Sequence, residues 1–287
     1  MKRLVSLLLA LSLVLALTAC GQKDTTPDTT QPDDPQTEQA EPVELIVFAA
    51  ASMTETLTEI AELYKSVAPE VTVTYNFDSS GTLLKQIKEG ADCDLFISAA
   101  PTQMNALDGS LKDDAGKNPD GLDRIVTGSR INLLENKVTL AVPEGNPKGI
   151  ESFDRLAELL RSGEVMLAIG NSDVPVGQYT QKIFACYALD EAALADAGKL
   201  TYGNNVKEVT SQVSEAAADC GIIYATDAFS AGLTVVDSAT AEMCGQVIYP
   251  AAVMRGEKEA AAQAFLDYLR TAEAVAVFES VGFSPAF

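Results

Sequence analysis

Glu44-Leu-Ile-Val-Phe-Ala-Ala-Ala-Ser-Met-Thr-Glu55 carries the reading on which the fold turns. Leu45 to Ala50 is an unbroken apolar run, short enough for a strand and apolar enough to be buried on both faces. From Ser52 the period changes. Leu57, Ile60, Ala61 and Tyr64 share one face at helical spacing, so the stretch to Lys65 reads as a helix. Ser52 followed three residues later by Glu55 is a capping-box pattern, which places the helix start at Ser52. A buried strand turning at once into a helix is half of a β–α–β unit.

The same alternation continues outward. Val71 to Phe77 (VTVTYNF) is β-branched and alternating, hence a strand, and Asp94 to Ser98 (DLFIS) is another. Val138–Val142, Val165–Ile169, Gly221–Tyr224 and Leu233–Val236 extend the strand series. Helical spacing marks Leu83–Lys88, Gln178–Leu189, Val206–Ala218 and Lys258–Arg270. Alternating strands and helices predict an α/β fold with mostly parallel sheets flanked by helices. Ligands of such sheets bind at the carboxyl ends of strands, where helix N-termini gather.

Four strand-to-helix junctions there are rich in small polar residues: Phe48 to Glu55, Phe77-Asp-Ser-Ser-Gly-Thr-Leu83, Asn171 to Tyr179 (NSDVPVGQY), and Gly203-Asn-Asn-Val206. Singly, each is an ordinary cap. Together they offer several sets of unpaired N–H groups, each with a helix dipole worth roughly half a positive charge. Converging, they can hold a dianion without Lys or Arg.

Composition narrows the chemistry. The net charge is −21, and the N-terminal leader holds two of the bases and none of the acids, which argues against nucleic acid as a partner. There is no His, which removes the usual catalytic triads and the commonest zinc ligand. Cys93, Cys186, Cys220 and Cys244 are widely spaced with no C-x-x-C, so they read as small buried residues, with one or two disulfides as the alternative.

The N-terminus reads as an export signal. Lys2 and Arg3 precede an apolar run to Leu17 that is shorter than the roughly 20 residues of a membrane span. Leu17-Thr-Ala-Cys20 resembles a bacterial lipobox, which implies a leader at 1–19 and a lipid on Cys20. Residues 20–42 are rich in Thr, Gln, Pro and Asp without apolar periodicity, and are expected to form a disordered tether.

The ordered series VFAAAS, FDSSGTL, DLFISA, VPVGQY, NNV, GIIYATDA and a closing VGF resembles the periplasmic molybdate-binding proteins of bacterial ABC importers, over Val43 to Phe287. The resemblance implies a two-lobed type II periplasmic-binding fold: residues 43–125 open lobe 1, 126–242 form lobe 2 and 243–287 return to lobe 1. The bridges would lie near Asp123–Gly128 and Ala239–Gly245. It also implies an oxyanion site made of Ser52, Ser80, the amides of Val176 and Val206, and the Tyr224 hydroxyl. The implied ligand is molybdate or tungstate, with no cofactor, no direct metal ligand and no catalytic residue. The implied setting is a monomer anchored by lipid at the outer face of the cell membrane, delivering to an ABC permease. Asp78 departs from the pattern, standing where the family has a small neutral residue. It is expected to point to solvent or cap the helix.

Two other readings differ in chemistry. Sulfate or phosphate would suit the same donors, phosphate also wanting an acceptor for its proton. An organic acid would want an Arg clamp, which none of the junctions supplies. An extracellular hydrolase is disfavoured without His, H-E-x-x-H or G-x-S-x-G.

Overall fold

The path of the chain follows from how its apolar runs alternate. In the computed structural model, which describes residues 41–287, Val43–Ala50 forms strand β1 beside Val71–Asp78 (β2) and Leu95–Ile97 (β3), both parallel to it. Leu45, Val47 and Ala49 face one core cluster and Phe48 a second, with Ile46 packed against the latter. Both faces of β1 are therefore covered, which is why its sequence is apolar without alternation. Each fully buried side chain of this kind contributes roughly 1.5–3 kcal/mol.

Thr54–Tyr64 (α1) follows β1 after a single 3₁₀ turn, and Ser80–Lys88 (α2) follows β2. Pro101–Asn105 (α3) and strand Ile131–Asn136 (β4) come next. The chain then changes sheets. Val138–Val142 (β5), Phe153–Ser162 (α4), Leu167–Gly170 (β6), Pro175–Cys186 (α5), Glu191–Asp196 (α6) and Leu200–Gly203 (β7) run through the second layer system. Val206–Ser214 (α7), Cys220–Tyr224 (β8), Ala225–Ser230 (α8) and Thr234–Ser238 (β9) complete it. Ala241–Cys244 (α9) lies on the way back to Val247–Val253 (β10), and Glu259–Tyr268 (α10), Ala272–Ser280 (α11) and Ser284–Pro285 (β11) close the first lobe.

The six-stranded sheet has the order β11-β4-β10-β3-β1-β2 and the five-stranded sheet β7-β6-β8-β5-β9. This is the two-lobed, type II α/β arrangement, with two refinements. Strand direction is mixed in both sheets, because β10 runs antiparallel to β3 and β4, and β5 antiparallel to β8 and β9. The first bridge also lies later than Asp123–Gly128. β4 pairs with β10 through Asn136↔Val247, so it belongs to the first sheet, and the crossing falls at Lys137. Residues 126–136 are therefore lobe 1, and the return crossing lies between β9 and β10. The leader at 1–19, Cys20 and nearly all of the tether lie outside the described residues. Cys93, Cys186, Cys220 and Cys244 are free thiols.

Candidate functional site

Within each lobe three mutually parallel strands, β1, β2 and β3 in one and β6, β7 and β8 in the other, bring their carboxyl ends to a common cleft. The cleft holds a narrow cavity of about 10 Å³, walled on one side by Ser52, Asp78, Ser79 and Ser80 and on the other by Val174, Pro175, Val206 and Tyr224. Among the described residues no Lys or Arg lines it.

The first lobe contributes hydroxyls. Ser52 does not cap α1: Ala51–Met53 forms the intervening 3₁₀ turn, and Ser52 Oγ lies 2.9 Å from Tyr249 Oη. The capping-box expectation fails because the side chain is claimed by a tertiary partner. Lys137 N donates to Asn136 Oδ1 at 2.8 Å, so Asn136 Nδ2 is the end that donates to Tyr249 Oη at 3.3 Å. Either hydroxyl can be the donor of the Ser52–Tyr249 bond, and where Tyr249 donates, the Ser52 proton is left for the cleft. Ser80 is fully buried, and its Oγ accepts from the Ala99 amide at 2.9 Å, which frees its proton in the same way.

Asp78 neither caps α2 nor turns to solvent. Ser79 is the cap, its Oγ accepting from Thr82 N at 3.1 Å. The Asp78 carboxylate accepts from Ser79 N at 2.6 Å and, across the cleft, from Asn205 Nδ2 at 3.5 Å. It sits half-buried in the cavity wall because its own backbone neighbour and the facing lobe both offer donors.

The second lobe contributes helix ends. Val206 is the first residue of α7, and Asn205 caps that helix by accepting from Glu208 N at 3.0 Å, which leaves the Val206 amide without an intrahelical partner. Val176 is the second residue of α5, after Pro175, and this N-terminus has no side-chain cap. Val176 itself is wholly buried and falls one residue beyond the cavity wall, which Pro175 and Val174 provide. Tyr224 ends β8, is 1% exposed, and its hydroxyl has no hydrogen-bond partner among the described residues. Burial, reinforced by Tyr249, Tyr179 and Asp227 nearby, pushes its pKa well above the usual phenol range, so it keeps its proton and is available as a donor.

Lys207, the residue after Val206, is already engaged. Its Nζ lies 2.8 Å from Glu55 Oε2 on the facing lobe and 3.3 Å from Asp227 Oδ1 beneath it. Burial pushes the Asp227 carboxyl up to about 6, with Lys207 pulling the other way. The lysine thus neutralises local acids.

Against known proteins, residues 45–284 match the family model described as bacterial extracellular solute-binding protein. The chain belongs to that family. It is 33% identical to the putative ABC transporter substrate-binding lipoprotein YvgL of Bacillus subtilis, over 86% of this chain and 89% of the relative. Likewise it is 33% identical to the molybdate-binding protein ModA of Escherichia coli, over 84% of this chain and 88% of that one. Among solved structures, the substrate-binding domain of a putative molybdenum ABC transporter from Clostridium difficile matches with a TM-score of 0.60 at 29% identity, covering 85% of this chain and all of the other. The Azotobacter vinelandii periplasmic molybdate-binding protein matches with a TM-score of 0.69 at 20% identity, covering 85% and 100%, a likeness of fold.

For this solute-binding protein, the structure brings Ser52, Ser80, Val206 and Tyr224 onto one cavity and sets Val176 directly behind its wall. Sequence reading missed Tyr249, Asn136 and the Ala99 amide, which aim the two serines. Asn136 left a trace, a lone amide between the apolar runs of β4 and β5. Tyr249, inside an apolar strand, left none.

Proposed function

We propose that this protein captures molybdate or tungstate outside the cell and delivers it to the permease of an ABC importer, without turnover and without a cofactor. In this reading the chain works as a monomer held at the membrane by a lipid on Cys20. The observation that carries it is the one-sided polarity of the cleft. Ser80 has the Ala99 amide on its oxygen, Ser52 is a buried hydroxyl beside it, Tyr224 is a buried hydroxyl with an unused proton, and α5 and α7 present open amides. Such a set suits a tetrahedral anion that carries no proton at neutral pH. Each charge-assisted bond to it contributes about 1.5–3 kcal/mol, and filling the Tyr224 hydroxyl removes the penalty of a buried unpaired donor. The E. coli relative named as molybdate-binding supports the choice of cargo.

Phosphate is the second reading, favoured by Asp78 in the cavity wall, whose carboxylate could take a phosphate proton. Its existing donors, Ser79 N and Asn205 Nδ2, weigh against that role. Titration calorimetry with molybdate, tungstate, sulfate and phosphate decides. Tight one-to-one binding of molybdate or tungstate, with sulfate and phosphate much weaker, is the expected result. A preference for phosphate that Asp78→Asn abolishes would replace it with the second reading, and no binding of any of the four would remove both.

A further inference from the structure

A buried acid lies beneath the anion cavity with little to hold it charged. Asp227 is 1% exposed and sits in the first turn of α8, directly after Tyr224 ends β8. Among the described residues neither of its carboxylate oxygens has a hydrogen-bond partner. Lys207 Nζ stands 3.3 Å from Oδ1, an ion pair rather than a well-formed hydrogen bond. Its donors go instead to both oxygens of Glu55 on the facing lobe, at 2.9 and 2.8 Å. One lysine thus divides its charge between two acids, and only the exposed one receives its hydrogen bonds.

The surrounding groups leave Asp227 as the acid able to change its charge. α7 brings Lys207 and the exposed Glu208, α1 brings Glu55, and β8, β10 and α5 bring Tyr224, Tyr249 and Tyr179. Burial raises all three phenols above their usual range, so they keep their protons. Burial works against charge on Lys207, but Asp227 and Glu55 outweigh it, and the lysine stays protonated. β5 has no titratable side chain, and the exposed Lys137 before it meets α8 through its carbonyl, which accepts from Ala225 N. The Asp237 carboxylate of β9 accepts from Phe153 N and Ser238 N. Burial, against the pull of Lys207, brings Asp227 to about 6, where a further negative charge nearby decides its state.

Resting on the anion-site reading above, we infer that Asp227 binds a proton together with the anion: as a dianion settles against Val206 N and Tyr224 Oη, the Asp227 carboxylate takes one proton from solvent. Negative charge brought into a buried pocket acts on a buried carboxylate with little screening. Protonation removes that repulsion and leaves the Lys207 charge to Glu55 and the anion. Because the complex holds the proton more tightly than the free protein, affinity rises as pH falls. Asp78 in the cavity wall is the competing acceptor, but it already accepts from Ser79 N and Asn205 Nδ2, whereas Asp227 has neither kind of partner.

The test is calorimetry on the parent, Asp227→Asn, Asp78→Asn and Glu55→Gln, with dilute molybdate or whichever of the four anions binds tighter. Each is titrated between about pH 6 and pH 8 in two buffers of different ionisation enthalpy, which counts the protons taken up. The parent is expected to bind about 5- to 10-fold more tightly at the lower pH, with proton uptake that persists at high salt. Asp227→Asn should lose both the pH dependence and the uptake, while Asp78→Asn keeps the uptake. Glu55→Gln, which returns Lys207 to Asp227, should reduce it. A parent whose affinity changes by less than about twofold over this range overturns the inference, as does uptake that survives in Asp227→Asn or disappears in Asp78→Asn. Should Asp227→Asn melt well below the parent, Glu55→Gln decides, and undiminished uptake there overturns the inference. A parent that binds none of the anions removes the functional reading and the proton partner together, which separates that failure from a complex that forms without a proton.

Discussion

The two lobes bring different chemistry to the same cavity. The first offers side-chain hydroxyls, Ser52 hydrogen-bonded to the Tyr249 hydroxyl and Ser80 accepting from the Ala99 amide. The second offers main-chain N–H groups at the starts of α5 and α7, and one phenol, Tyr224, with nothing to occupy it. Hydroxyls can be deleted by ordinary truncation. Amides cannot, because alanine keeps the N–H, so a conventional scan would report a one-lobed site even if both lobes hold the anion equally. Tyr224 bridges the two cases: it is a side chain, yet buried and unpaired like a helix end.

The largest effect is expected at that bridging residue. Tyr224→Phe should weaken molybdate binding by about 100-fold, near the upper end for a charge-assisted bond, while leaving the anion-free protein as stable as the parent or up to ~1–3 kcal/mol more so. Opposite signs in calorimetry and melting would mark the hydroxyl as a ligand group. A loss of stability would make it structural.

Next comes a matched pair that breaks the comparison directly. Ser80→Ala should cost roughly 10- to 100-fold in affinity through one lost bond. Val206→Pro should cost a similar factor, because proline is tolerated at the first position of a helix but carries no N–H. Asn205 before it already has an extended backbone, φ −152° and ψ 172°, as a residue preceding proline prefers. Val176→Ala completes the set. It should leave affinity within about twofold while lowering stability by roughly 1–2 kcal/mol, since its side chain is buried in the core and, in the proposed site, only its amide would reach the anion. Equal losses for Val176→Ala and Val206→Pro in titration would refute a main-chain site.

The smallest effect concerns the charge beneath the second lobe. Asp227 has its folded pKa raised to about 6 by burial, so the folded protein holds that proton more tightly than the unfolded chain. Its contribution is complete below the ordinary carboxylate range and is lost as pH rises toward 6, giving a fall in stability across that window. Urea melts of Asp227→Asn against the parent, from pH 4 to 7, should show that part of the slope removed. Parallel slopes would mean that Lys207 neutralises Asp227 fully.

What the sequence disclosed follows the same division. The β1 run and the small polar junctions were legible because apolar period and cap chemistry are local. The five site positions came from a resemblance that local motifs could carry. Direction was less legible: β5 and β9 look like any other strands, β4 and β10 are not among the expected ones, and only pairing shows that all four run antiparallel to their neighbours. Tertiary claims on side chains were not legible at all. Ser52 and Glu55 spell a capping box, yet Tyr249 takes one and Lys207 the other, across 197 and 152 residues. Asp78 was misread for the same reason, since its partner Asn205 is 127 residues away.

The two crossings between sheets also differ in their tolerance for editing. One is the single residue Lys137 between β4 and β5, while the other runs from Ala239 to Gln246 and includes α9. Adding or removing one residue at the first would slip a strand against its neighbours and turn every following side chain to the opposite face. The second can absorb length in its turns. Insertions, tags and natural length variation therefore have a place to accumulate near residue 240, while the joint at 137 must be copied residue for residue.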